Sequence, residues 1–124
     1  MDDETAATDA GQNNGHDDLT TDYANNTAFE ATVWDLKLIF GEFSARAKSI
    51  EWHTSITIPW ALAKLIIYYL QINIDIHELD QGKIAIPASM IPAAPPPPIQ
   101  DDGTAQAIFE IVQRNRERLM ESLK

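Results

Sequence analysis

The side chains able to do acid–base, nucleophilic or metal chemistry are few, and their spacing assembles no complete site. Three histidines are present, His16, His53 and His77. His16 lies in an acidic N-terminal stretch with little apolar content. His53 and Ser55 are two apart in a strand-like run, so both point to one polar side. A serine nucleophile needs a base in contact, a group that orients the base and an oxyanion site, and nothing near this pair supplies the last two. His77 and Asp80 are one helical turn apart, which gives two metal ligands where a site needs three or four. No GxxxxGK[ST] or GxGxxG phosphate loop occurs among the five glycines. Cysteine is absent, which removes disulfides, zinc-thiolate sites and thiol nucleophiles. The pattern reads as a non-enzymatic chain with no catalytic residue, no metal site and no cofactor.

The charge narrows the choice of partner. The formal net charge is -10, but it is unevenly spread. Residues 1–22 hold Asp2, Asp3, Glu4, Asp9, Asp17, Asp18 and Asp22 with no Lys or Arg, leaving twelve acids against nine bases from Tyr23 onward. An acidic tail repels phosphate backbones, so nucleic-acid binding is disfavoured and a ribbon-helix DNA regulator is the weakest reading. The most apolar stretch, residues 60–76, is interrupted by Lys64, Gln71, Asn73 and Asp75. A bilayer span needs roughly 20 mostly apolar residues, so no membrane helix is expected. The N-terminus shows no basic region followed by an apolar run. With the lack of cysteine, this points to the cytoplasm.

The elements that would position these side chains follow from periodicity. Residues 1–22 are too polar to offset the entropy of ordering and are expected to be a disordered tail. Phe29, Ala31 and Val33 alternate with polar neighbours, then Leu36, Leu38 and Phe40 share a second strand face, with a tight turn near residues 32–35. A polar loop at 44–49 leads to the clearest strand, where Ile50, Trp52, Thr54, Ile56 and Ile58 alternate with Glu51, His53, Ser55 and Thr57. Pro59 suits the first turn of a helix, helical periodicity runs over residues 60–81, and Gly82 suits a left-handed C-terminal cap. The alternation of Ile72, Ile74 and Ile76 also fits a strand, but the longer pattern favours helix. Residues 83–87 make a short strand candidate, and Pro95 to Pro98 make a stiff spacer. A last helix follows, with acids at its start and Arg114, Arg116, Arg118 and Lys124 further along complementing its dipole.

The expected fold class is α+β: an antiparallel three- to four-stranded β-meander packed by one long α-helix. The expected divisions are a disordered tail at 1–22, an α+β domain at 23–92, a proline-rich linker at 93–103 and a C-terminal amphipathic helix at 104–124. The aromatics Trp34, Trp52, Trp60, Phe29, Phe40, Tyr68 and Tyr69 are not interleaved with arginines, so packing suits them better than base stacking.

The long helix implies a partner. Leu62, Leu65, Tyr69, Ile72, Ile76 and Leu79 form one apolar stripe, and Ala63, Ile67, Leu70 and Ile74 form a second beside it, with Ile66 between them. One stripe is what a helix on a small sheet requires. Leaving the second uncovered would forgo roughly 1.5–3 kcal/mol for each large side chain. Either another chain or the C-terminal helix must cover it, and a homo-oligomer, in the first instance a dimer, is the preferred expectation. The expected interface is Ala63, Ile66, Ile67, Leu70, Ile74 and His77. A further, unidentified protein partner fits the same reading.

Residues 23–92 resemble an uncharacterised bacterial and archaeal family, domain of unknown function 3467. The resemblance rests on Tyr23-Ala24-Asn25, on Trp34-Asp35 before an apolar strand, and on Pro59 opening a helix with Lys64 in its first turns. It continues through Glu78, Gly82-Lys83-Ile84 and Ile86-Pro87. Ile58 stands where such helices often have a serine, and His77 where a tyrosine is common. The resemblance implies turns, caps and packing and carries no activity. Tyr23, Ala28, Phe29 and Glu30 are also similar to the start of the SecB export chaperone, which makes holding of unfolded clients the second functional expectation.

Overall fold

The computed structural model describes residues 15–99 and 102–124. Its elements are β1 (Asn26–Ala31), β2 (Asp35–Ser44), β3 (Ser49–Pro59), α1 (Trp60–Gln81) and α2 (Gly103–Ser122), with single 3₁₀ turns at His16–Asp18 and Ala88–Met90. The fold is α+β: a three-stranded antiparallel sheet in the order β1-β2-β3 and a long helix, with α2 following. The chain divides into two units, Met1–Ile66 and Ile67–Lys124, and α1 runs from the first into the second.

In the first unit the turns are built by local polar chemistry. Between β1 and β2 the Thr32 hydroxyl accepts from the amides of Trp34 and Asp35 at 3.1 and 3.0 Å and donates to the Asp35 carboxylate at 2.9 Å. The Trp60 indole donates to the Thr32 carbonyl at 3.0 Å, tying the start of α1 to this turn. The second hairpin closes with the Lys48 amide on the Ser44 carbonyl at 2.7 Å and Lys48 at φ 55. Strand β3 passes into α1 without a loop, so Pro59 ends the strand and Trp60 begins the helix.

The register corrects one expectation. Phe40 pairs with Thr54 but Gly41 pairs with Trp52, so His53 is the extra residue of a β-bulge. The bulge splits the expected stripe on β3. Ile58, Ile56 and Thr54 pair with Leu36, Leu38 and Phe40, while Trp52 and Ile50 pair with Gly41 and Phe43 on the opposite face. Pairing with β1 adds Ala31, Phe29 and Thr27 to the first of these faces.

In the second unit Gly82, at φ 89, ends α1 with its amide on the Glu78 carbonyl at 3.0 Å. Residues 83–87 are not the expected strand. The Ile84 amide donates to the Glu78 carboxylate at 2.9 Å, Lys83 Nζ donates to the Ser122 carbonyl at 3.2 Å, and Pro87 has no N–H to offer a ladder. Helix α2 opens on Asp102, whose side chain accepts from the Thr104 amide at 2.8 Å. Its arginines stop short of the last turn, which holds no base, and Lys124, the last of the expected bases, follows the C-cap residue Leu123.

The expected tail falls partly outside the description: residues 1–14 are not among the described residues. Residues 15–22, expected in the same tail, begin with the 3₁₀ turn and are tied to β3 at Asp22, where Thr54 Oγ1 donates to the carboxylate at 3.2 Å.

Candidate interaction surface

Apolar side chains are placed almost everywhere except in a closed interior. Among the described residues Ile58, 6% exposed, is the one buried large hydrophobic side chain. On the sheet, Leu36, Leu38 and Phe40 are half-buried, while Phe29 and Ile56, flanking Leu38 on the same face, are 58% and 52% exposed. Val33 and Trp34 stand exposed at the tip of the first hairpin.

Helix α1 contains no buried residue. In the stripe expected to cover the sheet, Leu62, Leu65, Tyr69, Ile72, Ile76 and Leu79 are all exposed, Leu79 to 88%. In the second stripe Ala63 is half-buried, as is Ile66 between the stripes, whereas Ile67 is 69% and Leu70 56% exposed. Ile74 and His77 are also open to solvent. The expected interface residues thus share one helix, with Ile67, Leu70, Ile74 and His77 exposed on it and Ala63 and Ile66 half-buried. Within the second unit, Ile74 lines a groove with Glu78, Arg118 and Leu119, so α2 approaches that edge of the stripe.

The sheet also assembles a polar cluster that sequence reasoning missed. His53 Nε2 lies 3.0 Å from the Tyr23 carbonyl. That oxygen only accepts, so the nitrogen carries a hydrogen. His53 Nδ1 lies 2.7 Å from Thr54 Oγ1, and Thr54 in turn reaches the Asp22 carboxylate. The order is wrong for a nucleophile–base–acid relay: the acid touches the hydroxyl and not the imidazole, and a backbone carbonyl takes the other ring nitrogen. In a relay the acid orients the base. The cluster fastens the chain before β1 to the bulge in β3. Ser55, paired with Ile39 on the other face from Thr54, stands outside this cluster, whose imidazole partners are Thr54 and Tyr23. No sequence signal marked this cluster, because its partners are about thirty residues apart.

The Asp80 carboxylate accepts from Gln81 Nε2 at 2.7 Å. Among the described residues no group of three or more His, Asp or Glu gathers as metal ligands, and no helix is long and apolar enough to cross a membrane. Compared with known proteins, the chain matches no family model, no curated protein and no solved structure.

Proposed function

We propose that the chain is a non-enzymatic interaction domain whose first partner is a second copy of itself, engaged through α1. The observation that carries this reading is a helix with no buried residue and large apolar side chains exposed in both stripes, in a protein with a single buried large side chain among its described residues. Exposing so many aliphatic and aromatic groups forgoes roughly 1.5–3 kcal/mol for each, against a total stability of about 5–15 kcal/mol for a small domain. Charge favours a protein partner over nucleic acid, because the chain carries a formal net charge of -10.

Sedimentation velocity of the full chain tests this. The expected result is a dimer or larger species at micromolar concentration, shifted towards monomer by Leu70→Glu. A wild-type chain that sediments as a folded monomer throughout that range contradicts the proposal.

The sheet face supports a second reading, the holding of unfolded clients. Phe29, Leu38 and Ile56 form a continuous apolar strip on which an extended chain could lie. Suppression of aggregation of an unfolded test protein by the oligomer supports that reading, and failure to suppress it leaves self-association alone.

A further inference from the structure

We propose that two copies pair their α1 helices antiparallel, about a two-fold axis at Leu70, so that Ala63 of each lies against the partner's His77. The inference rests on the self-association proposed above and specifies its geometry.

The seam is read from spacing. Ala63, Ile67, Leu70, Ile74 and His77 follow one another at steps of four, three, four and three, which keeps them on one side of a helix facing a neighbour. Ala63 stands seven residues before Leu70 and His77 seven after it. Reversing one helix about Leu70 therefore sets Leu70 on itself and Ala63 against His77, while Ile67, three residues before the axis, and Ile74, four after it, face each other offset by one residue, about 1.5 Å of rise. The smallest seam residue meets the one aromatic ring of the seam, and the space beside a methyl group receives an imidazole. Parallel pairing would set alanine on alanine, leaving a gap, and histidine on histidine.

Charge selects the same orientation. Lys64 is the one Lys or Arg on α1 and lies in its first half, whereas Asp75, Glu78 and Asp80 lie in its last two turns. Antiparallel pairing brings the lysine end of one helix to the acidic end of the other. Parallel pairing would stack three acids against three. Charges flanking such a seam set orientation, and opposed helix dipoles add to the preference.

The chain has no cysteine, so disulfide trapping can be read from introduced thiols alone. Differently tagged full-length chains carrying Ala63→Cys and His77→Cys are co-expressed and mildly oxidised. The expected product is the mixed 63–77 crosslink, with at least tenfold less crosslink when either variant is present alone. In the antiparallel pair two copies of position 63 are about 21 Å apart along the axis, far beyond the roughly 4.4–6.8 Å between Cα atoms that a disulfide spans. Leu70→Cys is the control and crosslinks in either orientation. Efficient crosslinking of Ala63→Cys with itself shows parallel pairing and overturns the inference while leaving self-association intact. A dimer by mass that yields no 63–77 crosslink overturns the pairing in the same way. A monomer by mass, with no crosslink even at Leu70→Cys, overturns both.

Discussion

At the scale of single residues the sheet is most sensitive at Gly41. A Cβ built there would lie 2.6 Å from the Glu51 carbonyl oxygen and 2.8 Å from Trp52 Cε3. The first of these atoms is backbone and cannot turn away. Gly41→Ala therefore has to open the β2–β3 ladder beside the bulge, and overpacking of this kind costs about 1–3 kcal/mol. Denaturant unfolding should show the loss as a lower midpoint with an unchanged slope. The bulge itself was not legible in the sequence. Trp52, Ile56 and Ile58 alternate in perfect step, and only the partner strand determines that His53 is passed over. For the same reason the link from His53 and Thr54 to residues 22–23 could not be anticipated. It depends on which face each side chain takes after the register shift.

Elements were more readable than contacts. Alternation over β2 and β3 and the long helical pattern ended by Gly82 are local properties, and the structure has the strands and the helix they predict. The isoleucines at 72, 74 and 76 fit a strand in isolation, but helical neighbours on both sides outweigh a run of five residues. The fourth strand failed because its backbone had other partners: the Glu78 carboxylate takes the Ile84 amide. The start of α2 is informative as well. Its start is fixed by one side chain, Asp102, so Asp102→Ala should cost about 1 kcal/mol of helix stability. Hydrogen exchange should report this as reduced protection at the amides of Thr104 and Gln106, with the amides of α1 unchanged.

For the whole molecule the question is what covers the apolar surface. Neither stripe of α1 is closed off, and the sheet keeps Phe29 and Ile56 half open. The sequence indicated one stripe more than a small sheet needs. It could not indicate that both would be left uncovered, because that depends on tertiary placement and not on helical period. A second copy removes the difficulty with residues already present, and its docking contributes to folding. Stability should then depend on concentration, since a partner that binds the folded state alone stabilises it by mass action.

Thermal unfolding of the full chain over a hundredfold range of concentration tests this coupling most directly. The account predicts a midpoint that climbs with concentration by about 5 °C or more, and a smaller climb for Leu70→Glu. A sharp transition at one fixed temperature across the whole range would mean that a single copy is stable with its helix bare, and would contradict the account.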